Sequence, residues 1–292
     1  SVAVSVNPVN PMIAVEAAEG GGLNRTRNGG LTWQRLDHFP MFRMEDVLYD
    51  PEDGINIFAS TRYDGRRSSL GGVWQSGDGG STWDRSAIVY GCTSTPNSWK
   101  IAIPGGADVH MNVFAANDCG VAFSPDSGAT WTNMALEGGT GSRFFGVAAA
   151  RTEPNTVVAY ACGGKGLYRT QFTIGTTPVW TQQHAGYPLR DARCDVAISP
   201  FDPDTVFLTT RACASAGDCR WGSRLFESGD GGVTFTELEA PPSNNRPPFI
   251  EAVRASPHEK QAFDIYWGNG VVTYRQRCTF DDDGATLDCR VA

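Results

Sequence analysis

Three aspartates are the first candidates for chemistry. Asp46 and Asp195 each open a short apolar run, DVLYDP and DVAISP, and Asp64 sits in the polar stretch RYDGRRSSLGG. Cleaving a glycosidic bond takes two carboxyl groups flanking it, ~5–5.5 Å apart for retention of configuration and ~6.5–9.5 Å for inversion. Glu45, Asp191, Asp218 and Glu251 lie in comparable settings. A carboxylate at the start of a strand has a plainer use, which is to accept hydrogen bonds from backbone amides. Nothing in the sequence marks a shifted pKa, so the plainer use is preferred for Asp46 and Asp195. Other chemistries find less support. His38, His110, His184 and His258 are scattered without the spacing of a metal centre. There is no G-x-S-x-G elbow and no G-x-x-x-x-G-K-[ST] phosphate loop. Asn24-Arg25-Thr26 is a glycosylation sequon, which matters only in a glycosylating secretory host.

Whole-chain properties narrow the classes further. The net charge is −8 over 292 residues. With no basic block to displace counterions from phosphates, a nucleic-acid partner is not expected. No apolar run approaches the ~20 residues of a membrane-spanning helix. The eight cysteines, none in a C-x-x-C pair, read as disulfides formed in an oxidising compartment. An extracellular or periplasmic location follows as an expectation, with Ser1 read as a mature terminus. Eight cysteines allow ~105 pairings. Short spacing favours Cys213–Cys219 and Cys278–Cys289, and Cys92–Cys119 with Cys162–Cys194 are guesses that complete the set.

The elements that must position these groups repeat. TRNGGLTW (26–33), SGDGGSTW (76–83), SPDSGATW (124–131) and SGDGGVTF (228–235) share one pattern. Two degenerate copies, TTPVW ending at Trp180 and FDDDGATL (280–287), complete a series spaced at about 50 residues. Each unit parses into four short strands. In the fifth these are CDVAISP, VFLTTRAC, SRLFES and, after the turn GDGG, VTFTELEA. Repeated four-stranded units of this length predict an all-β, six-bladed β-propeller of antiparallel blades, or seven blades if one lies outside this chain. The expected organisation is one domain over 1–292. Its units run roughly 1–41, 42–91, 92–142, 143–189, 190–241 and 242–292.

The motif S/T-x-D-x-G-x-T-W/F resembles the Asp-box, or BNR, repeat. The resemblance implies kinship with the propellers of sialidases, xyloglucan-cleaving hydrolases, sortilin-type receptors and a photosystem assembly factor. The box itself reads as structural. Its acidic residue closes an Asx-type turn, its glycines take positive φ, and its aromatic fills the space between sheets. Asn28, Asp78, Asp126, Asp230 and Asp282 hold the turn position, and Trp33, Trp83, Trp131 and Phe235 the aromatic one. Asn28 needs no charge to do this, which argues against metal chemistry in the box. Asp281, Asp282 and Asp283 are the one concentration of charge that suits a surface calcium ion, and a solvated turn is the plainer reading. No other metal or cofactor is expected.

The comparison with sialidases rests on Phe42-Arg43-Met44-Glu45, a partial match to the F/Y-R-I-P string that carries their first substrate-binding arginine. Arg143, Arg193 and Arg254 are the arginines placed to join it. The xyloglucan-hydrolase comparison maps the family's T-D-I-G-G loop onto RYDGRRSSLGG with Asp64, a poor match. Those enzymes set two propellers face to face and take one aspartate from each.

Propeller connectivity places the boxes on one face, with the turns between first and second strands. The opposite face carries the variable loops, six of the cysteines, and Tyr63, Trp99, Tyr187, Trp221 and Trp267. Aromatic rings there, with Arg43 and Arg193, suit a glycan or a protein ligand. The sequence thus predicts a secreted or surface-exposed binding or scaffold propeller. A glycoside hydrolase is the alternative, and a subunit or fragment of a larger extracellular assembly the third reading.

Overall fold

The computed structural model describes residues 3–65, 71–92, 96–134, 136, 143–184, 194–211, 223–238, 249–255, 262–268, 273–280 and 287–291. They form six four-stranded antiparallel sheets, each built from four strands consecutive in sequence. This is the expected all-β architecture of six propeller blades. Blade 2 consists of Met44–Tyr49, Ile57–Thr61, Gly72–Ser76 and Asp84–Arg85. Blade 5 consists of Cys194–Ile198, Val206–Arg211, Ser223–Ser228 and Thr236–Leu238.

Burial explains why the second strands read as apolar runs instead of alternating. Ile57–Thr61 and Val113–Asn117 are buried at every position. A strand with a sheet neighbour on each edge and side chains packed on both faces has no solvent side to mark with polar residues. The fourth strands are the opposite case. Gln34–Arg35 and Asp84–Arg85 are two residues long and exposed, and so short an outer edge is a poor template for unwanted strand addition.

The chain divides into two compact units, Ser1–Val157 with Gln171–Val179 and Val158–Thr170 with Trp180–Ala292. In the first unit, blades 1 and 2 share a core that includes Val15, Leu23, Phe39, Met44, Ile57 and Trp74. Blades 2 and 3 share Phe58, Val73, Ile101, Val113 and Ala122. In the second unit, Phe207 and Leu225 of blade 5 pack with Phe263, Ile265 and Cys278 of blade 6.

The repeated box is a hydrogen-bonded turn. Asp78 Oδ1 accepts from the amides of Ser81 (2.9 Å) and Thr82 (2.8 Å) and from the Ser76 hydroxyl (2.8 Å), while Oδ2 accepts from the Thr82 hydroxyl (2.7 Å). Asp126 and Asp230 accept likewise from Thr130 and Thr234. Asn28 reproduces the turn without charge, taking the Thr32 amide on its oxygen at 2.9 Å and donating its Nδ2 to the Thr32 hydroxyl. A box glycine or serine also donates its amide to the turn between the first and second strands: Gly29 to Met12, Gly79 to Ile55, Ser127 to Met111 and Gly231 to Asp204. Box and turn therefore share one end of blades 1, 2, 3 and 5, as expected. Gly128, at φ +87°, cannot be replaced, because a Cβ there would overlap Gln75 and lie 2.8 Å from the Phe58 ring.

The aromatic position is less uniform than the repeat implies. The Trp83 ring lies edge-on against Phe39 of the preceding blade at 5.0 Å, and Trp131 packs on the core shared by blades 2 and 3. Phe235 is half-buried. Trp33 is 40% exposed and does not fill a core.

The bonds from Thr82 hold the Asp78 carboxyl down to about 2, below its ordinary 3.8. A group with a depressed folded pKa stabilises the fold above its unfolded pKa and loses that contribution as pH falls through the folded one. Asp78→Asn is therefore expected to leave stability at pH 7 nearly unchanged, as Asn28 implies, and to flatten stability between about pH 4 and pH 2. Asp78→Ala, which strands the turn amides, is expected to cost about 1–2 kcal/mol at pH 7. Denaturant unfolding of the three proteins across that range checks both, and a steep acid dependence in Asp78→Asn would refute the assignment.

Candidate functional site

The variable-loop end of blades 2 to 4 gathers the chemistry of the first unit around one tryptophan. Trp99 lies in the first strand of blade 3, Ser98–Ala102. It is 8% exposed, a packing residue of this face and not a ring open to solvent. The reason is local packing. Phe145 meets the ring edge-on at 5.0 Å, and the guanidinium carbons of Arg62 and Arg143 stand 4.9 and 5.9 Å from its centroid. Cations over an indole face are held by its quadrupole.

Asp118 is the hub beneath it. The second and third strands of blade 3, Val113–Asn117 and Gly120–Ser124, are joined by the two residues Asp118 and Cys119. Asp118 Oδ1 accepts from Trp99 Nε1 (3.0 Å) and pairs with Arg143 Nε (2.7 Å). Oδ2 accepts from the Asn97 amide (3.0 Å) and Nδ2 (2.6 Å). Asn97 in turn accepts the Tyr63 amide at 3.0 Å. The disulfide Cys92–Cys119 ties this turn to the link entering blade 3. Next to the hub, Arg62 pairs with Glu45 and, at 3.5 Å, with Glu19. Arg62 also donates its amide to the Arg43 carbonyl, which places the exposed Arg43 on the same rim. Tyr63 is 42% exposed.

The carboxylates proposed for hydrolysis are placed differently. Asp46 is buried, with Oδ1 accepting its neighbour Val47's amide at 3.0 Å and Oδ2 the Ile101 amide of blade 3 at 2.9 Å. Asp195 is also buried and accepts the Val196 amide at 3.0 Å in the same way. Asp64 Oδ2 lies 3.5 Å from the Phe42 amide. Among the described residues no group of three or more histidines, cysteines or acids could hold a metal.

Cys162–Cys194 and Cys278–Cys289 are also bonded. Cys213, Cys219, Tyr187, Arg193, Trp221, Asp191, Asp218, Asp281, Asp282 and Asp283 lie outside the described residues. Trp267 is in the strand Ala262–Gly268 opposite Tyr274, and its side chain lies outside them too. Sequence reasoning missed Asp118, Arg62 and Asn97. Only the N-D-C-G turn, an acid beside a half-cystine, signalled the hub.

The same repeat of four-stranded blades is found in solved structures. This chain has their propeller fold. An ancestral GH74 enzyme superposes with TM-score 0.73 at 17% identity, over 100% of this chain and 38% of its own. The GH74 xyloglucanase from Xanthomonas campestris gives 0.60 at 15%, over 98% and 46%. YCF48 bound to D1 peptide gives 0.52 at 15%, over 92% and 76%. The chain thus spans less than half the length of these GH74 structures. No family model matches the chain. No curated protein matches its sequence. Among the described residues no helix is long and apolar enough to cross a membrane.

Proposed function

We propose that this chain is a binding propeller that takes a glycan on the rim around Tyr63, Trp99 and Arg143. The observation that carries the reading is the Asp118 hub. Four donors from two blades converge on one carboxylate and fix an aromatic-and-guanidinium platform before any ligand arrives. Preorganised groups lose little conformational freedom on binding. Tyr63, exposed beside the platform, supplies a ring for a sugar face. The disulfides and the expected oxidising compartment fit a secreted or surface-exposed protein.

The likeness to GH74 propellers supports a second reading, a glycoside hydrolase or one part of a longer one. Against Asp46 as its acid stands the capture of both its oxygens by backbone amides. The two readings part on one experiment. Polysaccharides incubated with the protein are assayed for retention on the immobilised chain and for released oligosaccharides by mass spectrometry. Retention without product supports the binding reading, and Tyr63→Ala is expected to weaken retention about tenfold with an unchanged melting temperature. New products from a purified sample, lost in Asp64→Asn or Asp46→Asn, would replace it with the hydrolase.

A further inference from the structure

We infer that Cys92 is a thiol-exchange site, where a small thiol or a dithiol opens the Cys92–Cys119 bridge beside the Asp118 hub and leaves the blade folded. The three described disulfides are not equally open to attack. Cys162 and Cys278 are fully buried, and Cys119 and Cys194 are each 3% exposed. Cys289 is half-buried, and Cys92 alone among these six half-cystines is exposed. Exchange needs a thiolate to reach one of the two sulfurs, so exposure selects both the bridge that opens and the sulfur that is attacked. The incoming thiolate bonds to Cys92 Sγ and the Cys92–Cys119 bond breaks. Cys119 Sγ leaves with the electron pair and takes a proton from solvent. A second thiolate, or the second sulfur of a dithiol, then displaces Cys92 from the mixed disulfide, so two external thiols are oxidised for one bridge reduced.

The hub turn keeps its place when the bridge opens, because blade 3 holds it separately. Asn117 Oδ1 accepts the Cys119 amide at 2.8 Å, and Asn117 Nδ2 donates to Asn133 Oδ1 at 2.9 Å. Asn133 Nδ2 donates to the Cys119 carbonyl at 3.2 Å and to the Tyr90 carbonyl at 3.1 Å. What the bridge adds is a restraint on Cys92, whose sulfur also lies 3.6 Å from the Asp118 carbonyl. Tyr90 is buried on one side of it. On the other, Asn97 is bound to Asp118 through its amide, its Nδ2 and its carbonyl. Opening therefore frees Cys92 between two anchored residues. A group carried on Cys92 then lies next to Asp118 and Asn97, which hold Trp99, Arg143 and the Tyr63 amide.

The test needs no glycan. The folded protein is treated with reduced glutathione or with dithiothreitol, quenched in acid, alkylated and mapped cysteine by cysteine by mass spectrometry. Under glutathione the expected result is a mixed disulfide on Cys92 and an alkylated Cys119, formed about tenfold or more faster than any thiol at Cys162, Cys194, Cys278 or Cys289. Far-ultraviolet circular dichroism is expected to stay unchanged. At the dithiothreitol dose that opens Cys92–Cys119 alone, the Tyr63 and Asn97 amides are expected to exchange hydrogen about tenfold faster, while the Cys119 amide, held by Asn117, changes less than about twofold. The double variant Cys92→Ser with Cys119→Ser reproduces the opened state without reductant, and is expected to fold and to give the same exchange pattern. Equal opening rates at the three bridges, or glutathione on Cys119 in place of Cys92, would overturn the assignment of Cys92. Opening only together with loss of the dichroism signal, or a double variant that does not fold, would overturn it too, by making the bridge a staple that the fold requires. Unchanged Tyr63 and Asn97 amides in the opened protein would overturn its link to the hub.

Discussion

Trp99→Ala is expected to lower the unfolding free energy by about 4 kcal/mol and to abolish glycan retention together with it. The ring is buried between Phe145 and two guanidiniums, and its deletion opens a cavity that blades 3 and 4 cannot close without moving Arg143. The change also removes one of the donors that Asp118 was folded around. Trp99→Phe separates these contributions. It keeps most of the apolar contact and loses only the Nε1–H, so a cost of about 1–2 kcal/mol is expected. Denaturant unfolding of both variants measures the difference. If Trp99→Ala unfolds within 1 kcal/mol of the parent while binding disappears, the ring is a ligand-facing group and the platform described above is wrong.

That expectation marks where sequence reasoning reached its limit. The blades were legible because the box repeats a chemical solution that any copy must satisfy. Asp78, Asp126, Asp230 and Asn28 all close the same turn with the same partners. The second strands were legible because burial on both faces leaves a plain apolar run. The disulfide Cys92–Cys119 was legible only as a guess from spacing. The rim was not legible, because it is assembled across blades. Asp118 comes from a hairpin turn, Asn97 from an inter-blade link and Arg143 from the next link. Their spacing along the chain reflects blade length and carries no chemical period. Exposure misled for the same reason. Trp99 follows a polar loop in sequence, and only its neighbours Phe145 and Arg62 decide that it is buried.

Asp46→Ala is expected to cost about 2–5 kcal/mol. Both of its oxygens accept backbone amides in a buried setting, one within its own strand and one from Ile101 in blade 3. Truncation leaves two amides without partners, and each buried donor so stranded costs about 1–3 kcal/mol. Asp46→Asn keeps one accepting oxygen but turns an NH2 group toward the other amide, so an intermediate loss is expected. The strand registers supply the reason to read this bond as structural. Asp46 and Asp195 occupy matching places in blades 2 and 5, opposite Ser60 and Thr209. The same place in blade 3 falls to Lys100, one before Ile101, which pairs with Ala115. A position that holds an acid in two blades and a lysine in a third tolerates a change of charge, and in blade 2 the acid accepts the Ile101 amide of blade 3 there. A catalytic acid predicts the reverse pattern of effects. Asp46→Asn would then unfold like the parent and lose all product release, and that pair of results would assign Asp46 to the chemistry instead of to the blade contact.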